Sequence, residues 1–222
     1  MSADIAGAID RLQSQLPLQG RQQALPPALA EVHRAMLRSL AERGRPLTRD
    51  EIAPMLEDDD VEGALAGLGQ DDLVVLGVSE TQAVGAYPMT VEDTPHRLKV
   101  NGRAVNAMCA LDALSVGPMF DAEVDIEARC RVTDEPVRIH QHGSRISSAE
   151  PSPDIRVGVR WQDPTACAAH SMCLEMVFLK DGPTALAAQK GDTENVSIFT
   201  LPEAVEFGAG FFNPLVQNAA DH

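Results

Sequence analysis

The spacing of apolar residues predicts a helical first third of the chain. After Pro26-Pro27 apolar residues recur with the period of an α-helix, and Gly44, with Pro46 soon after it, should end that helix. The segment before it, residues 1–25, is rich in glutamine and contains one possible short helix, Ile5–Leu16. We expect this segment to be a solvated, partly mobile polar arm.

Two further helices and a strand follow. Thr48 and Glu51 match a capping box, in which each side chain accepts a hydrogen bond from the other residue's backbone N–H. The next apolar period predicts a helix from about Asp60 to Gly69, and Leu73–Leu76 is a predicted strand. Three helices before a β-hairpin is the order of a winged helix, so residues 26–82 are predicted to form a winged-helix-like subdomain.

The charge of the third predicted helix argues against DNA binding. A helix that docks on DNA uses lysine and arginine to contact phosphates. Residues 57–72 contain no basic residue, and their acidic residues are Glu57, Asp58, Asp59, Asp60, Glu62, Asp71 and Asp72. We therefore favour a structural role for this helical part over a winged-helix regulator.

From Val84 onwards the pattern changes to short, strand-like segments separated by turn residues. Asn101-Gly102 is a strong signal for a two-residue type I′ hairpin turn. The helix after this hairpin should end at Gly117-Pro118, and the serine- and proline-rich residues 143–154 should be a loop. The predicted strands are Tyr87–Val91, Arg97–Val100, Arg103–Asn106, Ala122–Val132, Val137–His142, Ile155–Trp161, Met172–Leu179 and Asn195–Thr200. With short helices at Thr184–Lys190 and Leu201–Val216, this order indicates an α+β fold.

The composition limits the classes of partner. The 222 residues have a formal net charge of -15 and a sequence pI of about 4.7. That charge disfavours binding to nucleic acid and to anionic membranes. No apolar run approaches the roughly 18 residues of a membrane span, and no secretory signal is visible. We therefore expect a cytoplasmic protein whose cysteines stay reduced: Cys109, Cys130, Cys167 and Cys173.

Cys109 and Asp112 lie three residues apart in the apolar run Ala107–Leu114. In a helix such positions are neighbours on one face. A charged carboxylate would raise the pKa of the thiol, whereas a position in the first turn after the preceding strand favours the thiolate. The pair is either a proton-handling site or part of a core helix.

The other cysteines and histidines have simpler explanations when each is taken alone. In a strand, Cys173 would lie on the opposite face from Met172 and Leu174, and taken alone it is interpreted as a core cysteine. Cys130 is interpreted as a small hydrophobic residue with a structural role. The chain has no C-x2-C or H-x3-H pair, which disfavours structural zinc at His140, His142 or His170. Core packing or a soft-metal pocket would explain the flanking methionines Met108, Met119, Met172 and Met176.

Two thiols and one carboxylate, if they converge, suit the protonolysis of a carbon–metal bond. Thiolates are natural ligands for a soft metal such as mercury. One thiolate would take the metal of R–Hg–X, and the second thiol would bind after giving its proton to the carboxylate. The carboxylic acid would then protonate the departing carbanion and release R–H.

These residues lie in segments that resemble the organomercurial (alkylmercury) lyase family. Met108–Leu114 has the sequence MCALDAL, which is similar to the family's W-C-A-L-D-T-L stretch. Ser171-Met172-Cys173, with Phe178 and then Gly182–Ala185, is similar to the family's S-F-C…F-F…P-T-A segment. The similarity runs from about Arg45 to Leu215.

The resemblance implies that Cys109 and Cys173 bind mercury, that Asp112 transfers the proton, and that Cys130 is a structural cysteine. It implies an N-terminal three-helix, winged-helix-like part packed on a mixed, mainly antiparallel β-sheet part with short helices; residues 83–222 would be the catalytic α+β domain. It implies no organic cofactor. Cellular thiols such as glutathione or cysteine, or a mercuric reductase, would take over the Hg(II).

The chain departs from the family pattern at three positions. Met108 and Met172 replace aromatic residues, and Cys167 is additional. A second hypothesis therefore stays open, in which the same scaffold binds, sequesters or senses Hg(II) without cleaving a carbon–mercury bond. Release of hydrocarbon from an organomercurial separates the two hypotheses.

Overall fold

The computed structural model describes residues 4–57, 60–79 and 81–217. Its helices are α1 (Ile5–Gln15), α2 (Leu18–Ala24), α3 (Pro27–Arg43), α4 (Arg49–Ile52), α5 (Val61–Gln70), α6 (Ala110–Phe120), α7 (Gly182–Gln189) and α8 (Leu201–Phe212). Its strands are β1 (Val75–Leu76), β2 (Ala83–Ala86), β3 (Met89–Thr90), β4 (His96–Val100), β5 (Arg103–Ala107), β6 (Glu123–Arg129), β7 (Pro136–His142), β8 (Arg145–Glu150), β9 (Arg156–Arg160), β10 (Met176–Leu179) and β11 (Val196–Thr200). Short 3-10 helices lie at Ala53–Met55, Ala168–His170, Met172–Glu175 and Asn213–Leu215.

Two antiparallel sheets organise the second part of the chain. The larger has the strand order β1-β2-β3-β5-β4-β6-β7-β8, and the smaller has the order β10-β9-β11. Every strand pairing among the described residues is antiparallel. Asn101 and Gly102 have φ angles of +46° and +80°, as a type I′ turn between β4 and β5 requires. The α+β prediction is confirmed.

The helical part follows the predicted order. Helix α3 ends at Gly44, which has a left-handed φ of +66°. Both hydrogen bonds of the Thr48–Glu51 capping box are present, at 2.8 and 3.3 Å. Helices α3, α4 and α5 precede the antiparallel pair β1–β2. Asp58 and Asp59 of the acidic segment lie outside the described residues, and the winged-helix-like assignment and the boundaries at 25 and 82 stay predictions.

Residues 4–25 do not form a solvated arm. Helices α1 and α2 lie against the rest of the molecule, and Leu12, Leu16 and Leu18 are 1–2% exposed. Gln22, whose polarity suggested solvation, is buried. Its side-chain amide nitrogen, Nε2, donates a hydrogen bond to the Leu215 carbonyl at 2.9 Å. The prediction failed because a few leucines are enough to dock a polar helix when another surface covers them.

Helix α6 lies in the centre of the molecule, and it continues past the predicted stop at Gly117-Pro118. Proline has no N–H to offer to the carbonyl four residues earlier, that of Leu114. The buried Gln141 side chain on β7 donates to this carbonyl at 2.9 Å instead. A tertiary contact thus satisfies the group that proline leaves free, and the helix runs on to Phe120.

Two other predictions of local structure were wrong. Residues 145–150, expected in a loop, form β8 at the edge of the larger sheet, where a strand needs no alternation of buried residues because both faces are largely exposed. The predicted strand Met172–Leu179 begins as a 3-10 helix, closed by a hydrogen bond from Leu174 N–H to the Ser171 carbonyl, and becomes β10 only at Met176. An apolar run alone does not distinguish a strand from a buried helical turn.

None of the helices within residues 4–57, 60–79 and 81–217 combines the length and the apolar character that a bilayer crossing requires.

Candidate active site

Cys109 is the N-terminal cap of the central helix α6. Only Met108 separates it from β5, and its backbone is extended, with φ -151° and ψ -179°. Its sulfur accepts a hydrogen bond from the backbone N–H of Asp112 at 3.3 Å, in the place where a serine or aspartate oxygen usually caps a helix. The junction between strand and helix therefore fixes both the thiol and the carboxylate at one helix end.

Cys173 reaches the same helix end from a distant segment of the chain. It lies in the 3-10 helix Met172–Glu175 and is 3% exposed. The strand alternation that would have turned Cys173 away from Met172 is not present, because these residues are helical. The tight turn brings the thiol into the core beside α6.

The structure brings together the three candidate residues Cys109, Asp112 and Cys173. One ligand atom from each lies within 4.8 Å of the others, and no other group of three or more such side chains occurs in the described part of the chain. Their exposed fractions are 0%, 2% and 3%. Two thiols and one carboxyl group therefore face one another in a dry environment.

The carboxyl group of Asp112 is held in a state that exchanges protons near neutral pH. Burial raises the pKa of Asp112 to about 7, against the opposing effect of hydrogen bonds with Cys109 and Cys173. Its Oδ2 is buried and has no hydrogen-bond partner of normal geometry among the described residues. Such a group can both accept and donate a proton at physiological pH.

The surroundings of both thiols disfavour the thiolate form. Burial raises the pKa of Cys109 well above its usual value, and the adjacent Cys173 and Asp112 raise it further. For Cys173 the contact with Cys109 lowers the pKa, but burial and the negative charge of Asp112 outweigh it, and the net shift is upward. The Asp112 N–H at the helix end lowers the pKa of Cys109, in the direction expected, but burial and the neighbouring groups raise the pKa by more, so the thiolate is not favoured overall.

One cleft leads to this cluster. Its volume is about 640 Å³, and Cys173 lies on its wall together with Met108 and Phe178. Acidic and basic side chains also line it: Glu92, Asp93, Arg129, Arg131, Asp134, His170 and Glu175. Cys109 is completely buried, so a ligand that enters through the cleft meets the sulfur of Cys173 first.

The remaining cysteines lie outside the cluster. Cys167 faces a second cleft of about 620 Å³, and its sulfur lies 3.4 Å from the Tyr87 hydroxyl. Burial raises the pKa of Cys130, but hydrogen bonds with Thr133, Val132 and Lys180 lower it, and the net shift is downward. Cys130 is thus held firmly in its turn, although its structural role stays a prediction.

Two of the three histidines considered for zinc contact carboxylate groups away from the cysteines. His140 contacts Asp125 at 2.7 Å, and His170 contacts Glu92 at 2.9 Å. Neither lies in a group of three ligands within the described ranges.

One contact of the site could not be found from the sequence. The Cys109 thiol donates to the thioether sulfur of Met176 at 3.7 Å. In the sequence, Met176 is one of four methionines near the cysteines, and its position relative to them does not show that it contacts Cys109.

Comparisons with known proteins identify one family. The alkylmercury lyase family model matches residues 89–213. The alkylmercury lyase of Staphylococcus epidermidis is 29% identical over 177 residues, which are 79% of this chain and 78% of that protein. The alkylmercury lyase of Bacillus cereus is 28% identical over 131 residues, 59% of each chain. The solved mercury-bound form of MerB2 shares the fold, with a TM-score of 0.75 at 20% identity over 90% of this chain and 98% of that one.

Proposed function

The chain belongs to the alkylmercury lyase family and is an enzyme of that class, and from this premise we propose that it cleaves carbon–mercury bonds by protonolysis at Cys109, Asp112 and Cys173. The observation that carries the proposal is the convergence of these three side chains within 4.8 Å. Two soft thiol ligands and one carboxyl group are the minimum that the reaction needs, and this buried cluster supplies them.

Cys173 makes the first contact with the substrate. Its sulfur displaces X from R–Hg–X, so that a sulfur–mercury bond forms while X⁻ and the thiol proton leave. The position of Cys173 on the wall of the cleft, ahead of the completely buried Cys109, supports this order.

Cys109 then binds the mercury from the interior. Its thiol gives its proton to the Asp112 carboxylate, and its sulfur becomes the second ligand of the metal. The contact between the two residues at the start of α6 supports this transfer, because the acceptor needs no movement of a separate element. The mercury now has two sulfur ligands, and Asp112 is a carboxylic acid.

Asp112 completes the reaction as the acid. Its proton moves to the carbon atom bound to mercury, and the electron pair of the carbon–mercury bond forms the new C–H bond. The hydrocarbon R–H leaves, the Asp112 carboxylate is restored, and Hg(II) stays on the two thiolates. The pKa of Asp112 near 7 supports this role, because both forms are populated at neutral pH.

External thiols remove the product ion in this proposal. Two thiols such as glutathione or cysteine, or a mercuric reductase, exchange with the protein sulfurs and return their protons. The proposed reaction requires no organic cofactor.

Product analysis tests the proposal. Phenylmercury acetate is incubated with the protein and excess glutathione, and benzene is measured by gas chromatography. We expect many equivalents of benzene per protein, and about one equivalent when the thiol is omitted. Mercury binding without benzene would refute the lyase mechanism and favour the second hypothesis, a protein that binds or senses Hg(II).

A further inference from the structure

Cys109 contacts a second sulfur atom, that of Met176. The thiol donates to Met176 Sδ at 3.7 Å while it accepts the Asp112 N–H at 3.3 Å. Both side chains are buried, with exposed fractions of 0% for Cys109 and 2% for Met176. The thiol hydrogen therefore lies between two polarizable sulfur atoms with little access to water.

The backbone ties Met176 to the other thiol as well. Its N–H donates to the Cys173 carbonyl at the end of the 3-10 helix Met172–Glu175. Met176 then opens β10, which pairs with β9 along its length. Its side chain thus touches Cys109 while its main chain is bonded to Cys173, and its sulfur is held beside the cluster by rigid elements.

The chemistry of a thioether suits this position. Mercury(II) with two thiolates is electrically neutral, and it retains an affinity for further soft donors. A third thiolate would add a negative charge to a buried site that already holds Asp112, which is unfavourable in a medium of low polarity. A methionine sulfur offers a soft lone pair and adds no charge.

On the premise of the proposed function above, we propose that the Met176 thioether is a third, neutral donor to the mercury held by Cys109 and Cys173. It prolongs the retention of Hg(II) until an external thiol takes the ion. Met176 is then a binding residue of the site and more than a filler of the core.

A pair of methionine-to-leucine variants tests this role. Leucine has nearly the volume of methionine but no sulfur, so Met176→Leu should fold normally. Met172→Leu is the matched control, since Met172 is 1% exposed and lies in the same segment. Each protein is loaded anaerobically with one equivalent of HgCl2, and transfer of the ion to excess glutathione is followed.

We expect Met176→Leu to lose Hg(II) about tenfold faster than the wild type, which corresponds to about 1.4 kcal/mol, and Met172→Leu to match the wild type. X-ray absorption of the loaded proteins should detect a third, longer sulfur contact in the wild type and in Met172→Leu, but two sulfurs in Met176→Leu. The wild-type spectrum alone decides the point if a variant is unstable.

Three results would overturn the inference. They are two sulfurs in the wild type, equal release rates in all three proteins, or equal acceleration in both variants. In each of these cases the proposed function can still stand, because mercury remains on Cys109 and Cys173. A wild type that binds no mercury at these cysteines, or releases no benzene from phenylmercury, would instead remove the proposed function itself.

Discussion

The backbone N–H of Asp112 donates to the sulfur of Cys109 at 3.3 Å, so that one helix end carries both the thiol that we propose to bind mercury and the carboxyl group that we propose to transfer the proton. A single rigid element thus sets their separation. Cys173, on a distant segment, completes the cluster from the side of the cleft. This division of the site between two segments leads to separable predictions for its residues.

The two cysteines should differ in their capture of substrate. Cys109→Ser keeps the sulfur that lies on the cleft wall, and we expect it to form a stable phenylmercury adduct without releasing benzene. Cys173→Ser lacks that first ligand and should capture phenylmercury much more slowly. Native mass spectrometry after brief exposure measures both adducts. The opposite pattern would place Cys109 first in the reaction.

Asp112→Asn should separate mercury binding from bond cleavage. Asparagine has the size of aspartate but no acidic proton, and loss of a positioned general acid lowers rates by about 10²–10⁴-fold. We expect benzene release in a single turnover to fall by that factor while one equivalent of mercury still binds. Turnover of this variant at the wild-type rate would exclude Asp112 as the proton donor.

Asp112 should also make stability depend on pH. Its pKa is about 7 in the folded protein, compared with 3.8 for an exposed aspartate. Because folding raises this pKa, the stabilising contribution of the protonated group is complete below about pH 3.8 and is lost as the pH rises through 7. The free energy of unfolding of the wild type, minus that of Asp112→Asn, should fall by about 2–3 kcal/mol between pH 5 and pH 8. Urea titrations at several pH values measure it, and a difference that does not change with pH would contradict the assignment.

Gln141 should stabilise α6 through the carbonyl that Pro118 leaves free. Replacement by leucine preserves bulk but removes the donor to the Leu114 carbonyl. A buried unpaired carbonyl costs about 1–3 kcal/mol, so Gln141→Leu should unfold at correspondingly lower urea concentration. Substitution of the exposed neighbour His142 by alanine serves as the control and should have little effect.

Leu12 tests whether residues 4–25 belong to the folded core. It is 1% exposed, and truncation of a buried leucine to alanine costs about 2–5 kcal/mol. The neighbouring Gln13, which is only half-buried, is the control, and Gln13→Ala should change the free energy of unfolding by less than about 0.5 kcal/mol. Equal, small effects at both positions would restore the view of a solvated arm.

Local features of the fold were predictable because their causes are local. The capping box at Thr48 and Glu51 and the turn at Asn101-Gly102 depend on residues that are close in sequence. Features with distant causes were not predictable. The continuation of α6 through Pro118 depends on Gln141, and the burial of α1 depends on surfaces far along the chain.

The sequence by itself determined the α+β class, the family resemblance and the identity of the three candidate residues, since these depend on residue types and their order. Only the tertiary structure decided that Cys109, Asp112 and Cys173 meet within 4.8 Å, that burial raises the pKa of Asp112 and of both thiols, and that Met176 touches Cys109. The physical reason is that proximity and desolvation arise when distant segments pack together, and no spacing along the chain encodes either directly.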